Sequence, residues 1–200
     1  MARLFDIENI DQTDPQPVNN DPSEVHVERF LQLHESRITN IKELIGKIPG
    51  DGEILFLHTT NSFSAFTFIP LVIKECGIIE ELCVSTYSIN SRIINSLLRY
   101  VDKGLIKSVY ITVSDSIRQK NTRVYDQLIA LSERKPIKVT LSWNHSKIAL
   151  IRAGNYYLDI EGSGNWAENA MHEQYVFVNS RKVFEFRKNE ILNGINPVAV

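Results

Sequence analysis

The chain has 200 residues, 43% of them apolar and 23% charged, with a formal net charge of -2. That is enough for one well-buried domain, and it excludes a global basic field that would coat nucleic acid, leaving only a local anion site. No run of about 18 apolar residues occurs and the N-terminus lacks a basic-then-apolar leader, so a cytoplasmic protein without a membrane anchor is expected. In chain order, residues 1–22 carry Pro15, Pro17 and Pro22 among Asp, Asn and Gln, and read as a flexible arm. Asp21-Pro22-Ser23 signals a helix start, and Val25, Phe30, Leu31, Ile38, Ile41, Leu44 and Ile45 recur at helical spacing, which predicts an N-terminal helix over 23–49.

From residue 50 onward, strands and helices alternate. Strands are expected at 53–58, 79–88, 106–115 and 137–144, and helices at 64–77, 90–104 and 121–134. Pro70 suggests an irregular start to the first of these helices, and Gly104 suits the end of the second. The pattern then changes to a hairpin around Gly154-Asn155, a strand at 173–179 and a closing helix at 180–192, with a tail over 193–200. The expected fold is α/β: a mixed, largely parallel sheet flanked by helices on both faces, forming one domain over 50–192. Cys76 and Cys83 lack neighbours at metal-ligand spacing and read as buried reduced thiols; no metal or other cofactor is expected.

The chemistry concentrates in "WNHSKIALIRAGNYYLDIEGSGNW", residues 143–166. Residues two apart on a strand share a face, so His145 and Lys147 would sit side by side. Lysine supplies charge and hydrogen bonds to phosphate oxygens, and an imidazole attacks phosphorus or moves protons near neutral pH. In the loop that follows, Gly162 and Gly164 would allow close approach of the backbone, while Ser163 and Asn165 supply a hydroxyl and an amide. A short helix starting near Asn165 would add free N–H groups for an anion.

His145, Lys147, Gly162, Ser163 and Asn165 resemble the signature of the phospholipase D-like superfamily, H-x-K followed by four residues, Asp, six more and G-S-x-N. Glu173 matches the acidic residue that orients the histidine in that family, and the likeness spans roughly residues 50–180. The resemblance implies a phospholipase D-like fold and metal-independent phosphodiester hydrolysis through a phosphohistidine. His145 would be the nucleophile, Lys147 and Asn165 would stabilise the phosphate, Ser163 would assist and Glu173 would fix the imidazole.

There are two departures from the signature. Arg152 stands where the motif has Asp, and the interval to the glycine loop is three residues longer. An odd offset of seven from His145 places Arg152 on the far face of a regular strand. Only one H-x-K occurs, and single-motif members of the family complete their site in a two-fold dimer, which implies a homodimer with the two His145 facing each other. The expected substrate is a phosphodiester, with a nuclease-like activity on nucleic acid as the leading form. A degenerate module that binds nucleic acid or serves as a regulatory subunit is the alternative, and lipid phosphodiester chemistry is a third.

Other residues carry a bland and a sharp reading side by side. His58 is a polar strand end or lines the pocket. Tyr87 and Ser88 end a strand at the ligand-bearing edge of the sheet. His172 reads as a surface or packing residue. Arg118, Lys120 and Arg123 form a solvated loop or guide a nucleic-acid backbone. Trp143 and Trp166 read as packing residues, with stacking on a base as the alternative.

Overall fold

The computed structural model describes residues 32–38, 41–44, 46–62, 64–167, 169 and 171–193. The arm expected over 1–22, and the tail apart from Asn193, lie outside the described residues. The strands are β1 (Gln32–Ile38), β2 (Glu53–Thr59), β3 (Glu81–Thr86), β4 (Val109–Ser114), β5 (Ile137–Ser142), β6 (Ile148–Ala153), β7 (Tyr156–Gly162) and β8 (Gln174–Asn179). The helices are α1 (Phe68–Cys76), α2 (Ser91–Asp102), α3 (Ile117–Lys120), α4 (Thr122–Ser132) and α5 (Arg181–Asn193).

Local chemistry accounts for most of these elements. Asn90 caps α2 by accepting from the Ile93 amide at 3.0 Å, and Gly104 closes the far end with a φ of 69°. The α2 stripe of Ile93, Ile94 and Leu97 is buried, each side chain contributing roughly 1.5–3 kcal/mol of transfer free energy. Asn121 caps α4 in the same way, accepting from the Val124 amide at 3.1 Å. The irregular start expected at Pro70 is a 3-10 turn, Ala65–Thr67, that runs into α1; Pro70 falls in the first helical turn, where its missing N–H costs nothing.

The helix expected over 23–49 is not formed across its middle. Gln32–Ile38 is strand β1, paired parallel to β2 from Gln32 opposite Glu53 to Ile38 opposite Thr59, and Ile41–Leu44 is a 3-10 turn. The apolar residues do recur at helical spacing, but pairing with the open edge of β2 satisfies a full row of backbone groups and overrides that local preference.

The sheet has eight strands in the order β1-β2-β8-β7-β6-β3-β4-β5. Six run in one direction and only β6 and β8 run against them. The sheet is therefore mixed and, by strand direction, largely parallel. One face carries Leu55, Leu82, Val84, Ile111, Ile151, Ile160 and Phe177 and is covered by α1, α2 and α4. On the other face α5 packs over β3, β6 and β7, with Phe184 and Ile191 against Cys83 and Leu150.

This topology sets up a site. The loops after β2, β3, β4, β5 and β7 and the segments leading into β6 and β8 all lie at the carboxyl edge of the six aligned strands. Ligands gather at that edge in open α/β sheets.

Candidate active site

The triplet His145-Ser146-Lys147 precedes β6 rather than lying within it, so its shape depends on side-chain bonds instead of a strand ladder. Asn144 provides them. Its Oδ1 accepts from the Ser146 amide at 2.8 Å and from the Ser146 hydroxyl at 2.7 Å. Its Nδ2 donates to Ser85 Oγ at 2.9 Å, and the Ser85 and Ser146 hydroxyls are 2.5 Å apart. The four groups close a ring that ties the turn to the end of β3, with Ser85 fully buried. Asn side chains make such local turns readily. This leaves His145 projecting outward and exposed.

The imidazole of His145 lies against Tyr87, with ring centroids 4.8 Å apart at 51°. Lys147 Nζ sits 3.3 Å from His145 Nδ1 and donates to the His145 carbonyl at 2.8 Å. Burial pulls the Lys147 pKa down, opposed in part by the charges of Glu173 and Tyr87. Tyr87 in turn receives a hydrogen bond from Lys120 Nζ, and that bond draws the phenol pKa below its ordinary value. His145 and Lys147 thus sit side by side, and Tyr87, expected only at this edge of the sheet, lies against the imidazole and 6.0 Å from Lys147 Nζ.

The second half of the motif follows β7. The Gly162 amide donates to the Lys147 carbonyl at 3.2 Å, which extends the β6–β7 ladder to the triplet. Ser163 Oγ donates to Glu173 Oε2 and accepts from the Gln174 amide at 3.0 Å. Glu173 is only 7% exposed, and its backbone is clasped by Thr59, whose hydroxyl accepts from the Glu173 amide at 2.8 Å and donates to the Met171 carbonyl at 2.9 Å. His145, Ser146, Lys147, Ile148, Glu161, Gly162, Ser163 and Arg187 line one open-sided hollow of about 490 Å³. The two halves of the motif, separated by the hairpin, therefore share a wall.

Some expectations change in detail. Gly162 and Gly164 are demanded by packing. A Cβ on Gly162 would meet the Gln174 backbone carbonyl first and then Tyr175 Cδ1 at 2.6 Å, and one on Gly164 would meet the Tyr175 hydroxyl and lie 2.8 Å from Cζ, so the neighbouring strand's backbone and the buried Tyr175 ring fill the space that glycine vacates. No helix starts at Asn165. Its amide donates to Asn169 Oδ1 at 2.9 Å, its carbonyl accepts from Asn169 Nδ2 at 2.9 Å, and its side chain does not line the hollow. The loop is held instead by Trp166, 1% exposed and edge-on to Phe66 with ring centroids 5.3 Å apart. His58 is on β2 and stacks on His172, 5.7 Å between centroids. Three strand spacings, roughly 14 Å, separate β2 from β6, so His58 is not brought against His145.

Arg152 lies on the face opposite Ile151 and Ala153 and pairs with Glu80 and Glu81, each at 3.7 Å. Three contributors escaped the sequence reading: Asn144, Thr59 and Arg187. Arg187 Nε reaches Glu161 at 2.5 Å from the middle of α5. The Asn immediately before the triplet was the one available signal among them, as an Asx turn.

No family model matches the chain, and no curated protein matches it. Among solved structures it resembles polyphosphate kinase from Porphyromonas gingivalis, with a TM-score of 0.52 and 19% identity over 74% of this chain and 27% of that one. This shows a shared fold, and the chain spans about a quarter of the kinase. Two further matches are looser and carry no argument. One is TrmBL2, an archaeal chromatin protein, at a TM-score of 0.43 and 13% identity, covering 68% of this chain and 53% of that one. The other is phosphatidylserine synthase from Haemophilus influenzae Rd KW20, at 0.48 and 14%, covering 72% and 40%. Among the described residues, no helix is long and apolar enough to cross a membrane.

Proposed function

We propose that the chain is a phospholipase D-like, metal-independent phosphodiesterase, nuclease-like in its preference, with one active site shared across a homodimer. The observation that carries this is the single hollow lined by His145, Lys147, Gly162 and Ser163, with Tyr87 against the histidine. The fold shared with a polyphosphate kinase over 74% of the chain supports it.

In the proposed cycle an imidazole nitrogen of His145 attacks phosphorus. A P–N bond forms, the P–O bond to one ester oxygen breaks, and that oxygen takes a proton from the second copy's His145. Water, giving its proton back to that histidine, then attacks phosphorus and the P–N bond breaks. Lys147 balances the phosphate charge, and Asn165 adds an amide if it turns toward the hollow on substrate binding. Glu173, anchored by Thr59, holds the Ser163 side of the wall. Neither His58 nor His172 supplies the second imidazole within one chain, because they stack on each other three strands away. This is why a second copy is invoked.

The test is hydrolysis of bis(p-nitrophenyl) phosphate and of DNA in EDTA, with sedimentation to give the oligomeric state. Wild type cleaves as a dimer, His145→Ala does not, and an acid-labile phosphoryl group is trapped on His145. Cleavage that survives His145→Ala overturns the assignment. A strict monomer that binds DNA without turnover supports the alternative, a degenerate binding module, for which Arg152 at the motif Asp position is the motivating residue.

A further inference from the structure

Trp143 and Trp166 flank the motif symmetrically in sequence, but the structure separates them completely. Trp166 is 1% exposed in the core, whereas Trp143 is 93% exposed at the end of β5. Among the described residues the next most exposed large apolar side chain, Met171, reaches only 57%. Tryptophan is ordinarily a largely buried residue, so an indole held almost wholly in water needs an explanation.

Its surroundings supply one. Trp143 is followed directly by the Asn144 clamp and then His145, so its Cα lies within about 7 Å of the His145 Cα. The Tyr87 ring against His145 has two cations near it, Lys120 Nζ at 4.7 Å and Lys147 Nζ at 6.0 Å from its centroid. The ends of β5, β4 and β3 are neighbours at this edge, so Trp143, the segment bearing Lys120, and Tyr87 occupy successive positions along it. Flat apolar faces and cations therefore lie together beside the imidazole. A single nucleic-acid strand presents the complementary series, a base face and a phosphate at each nucleotide. A duplex presents phosphates and base edges but no free base faces, because its bases are stacked inside.

We infer that Trp143 is a base-stacking residue that holds a single-stranded nucleic acid beside His145, with Lys120 and Lys147 on its phosphates. This deepens the phosphodiesterase assignment and rests on it, but it is tested by binding, without turnover.

The experiment titrates the full chain carrying His145→Ala, which the proposed cycle leaves without turnover, with a short fluorescein-labelled oligodeoxythymidylate in EDTA. The Trp143 variants are built in that background, where wild type denotes intact Trp143. Binding is read from the anisotropy of the label, which needs no tryptophan in the protein. The single strand binds, and it also quenches the emission of the exposed Trp143. Trp143→Ala, with an unchanged melting temperature, weakens binding roughly 5- to 100-fold, and Trp143→Phe recovers part of the loss. A duplex of the same length, and an abasic strand, bind wild type no better than the oligothymidylate binds Trp143→Ala.

Equal affinity of wild type and Trp143→Ala for the single strand overturns the inference, as does equal affinity of wild type for the abasic strand. It is also overturned if the emission shifts to the blue with protein concentration alone and Trp143→Ala dissociates a dimer, since the indole is then covered by a second copy. Cleavage that persists in His145→Ala sinks the catalytic assignment and leaves the binding result standing, so the two failures are distinguishable.

Discussion

The ring of Tyr87 lies 4.8 Å from the ring of His145, centroid to centroid, and is tilted by 51°. One comes from the end of β3 and the other from the segment before β6, so the contact fixes an exposed imidazole from a neighbouring strand. Its phenol also receives a hydrogen bond from Lys120. Ring contacts of this kind are worth about 0.5–1.5 kcal/mol. Tyr87→Ala is expected to lower phosphodiester turnover roughly 3- to 10-fold, while Tyr87→Phe stays close to wild type. Equal losses in both variants would show that the hydroxyl, not the ring, is what matters.

Arg152 at the motif Asp position is expected to be nearly silent. Its side chain is 37% exposed and its two contacts, to Glu80 and Glu81, are each 3.7 Å long. Exposed pairs of that kind are worth between zero and about 1 kcal/mol. Arg152→Ala should therefore keep its turnover and lose little stability. Arg152→Asp restores the motif letter but sets a third carboxylate beside Glu80 and Glu81, so its melting temperature should fall and its turnover should not rise. A marked gain of activity in Arg152→Asp would mean that this position does communicate with the phosphate site.

The alternation of strands and helices from β2 to β5 was legible because each segment carries its own period and punctuation, such as the Asn90 cap and Gly104 stop of α2. The first strand was not legible. Its identity depends on the edge of β2, about twenty residues further on, and a helical spacing of apolar residues was the only local signal. His145, Lys147, Gly162 and Ser163, picked out by residue type, do line one hollow; Arg152 faces away from Ile151 and Ala153 on a regular β6, but its parity was counted from His145, which lies before that strand. The two glycines also match a contact that has no sequence signature: the Gln174 carbonyl and the Tyr175 ring, which approach across the β7–β8 pair. Nor could sequence separate Trp143 from Trp166, because only burial does so.

Gly164→Ala tests that packing directly. The new Cβ would fall 2.8 Å from Tyr175 Cζ and 2.9 Å from Asn169 Nδ2. The ring is 2% exposed and cannot swing into solvent cheaply. Overpacking of this kind costs about 1–3 kcal/mol, seen in a chain of this size as a melting temperature lower by roughly 2–10 °C. Tyr175→Phe removes the nearest atom, the hydroxyl oxygen, so the double variant should regain part of the loss. A Gly164→Ala protein as stable as wild type would show that the loop relaxes freely, and that the glycine is kept for another reason.

Lys147 is expected to set the alkaline limit of phosphate binding. Burial lowers its pKa, with Glu173 and Tyr87 opposing only part of the drop. The ammonium is charged below that pKa and neutral above it, so anion affinity should begin to fall at a pH below the range of an ordinary lysine. Lys147→Arg keeps its charge throughout. Its affinity for inorganic phosphate should be weaker at neutral pH but should lack the alkaline decline. A decline at the same pH in both proteins would assign it to another group.

The buried carboxyl of Asp159 makes stability itself pH-dependent. It sits on β7 beneath α5, 2% exposed, next to Glu161 and the Arg187 that Glu161 binds. Desolvation, first, and the neighbouring charge of Glu161, second, push its pKa up to about 8, with Arg187 opposing. In the unfolded chain an aspartate titrates near 4. Between these values the folded state holds a proton that the unfolded state has lost. Stability is therefore greatest below about pH 4 as far as this group is concerned, falls as pH rises, and levels off only above about pH 8. Asp159→Asn keeps the shape and cannot ionise. Its unfolding free energy in urea should exceed that of wild type at pH 8.5 by an amount on the order of 5 kcal/mol, and the two curves should converge as the pH is lowered toward 4. A wild-type stability that does not change between pH 5 and 8.5, with Asp159→Asn running parallel to it, would mean that Asp159 is ionised in the fold and that α5 accommodates the charge.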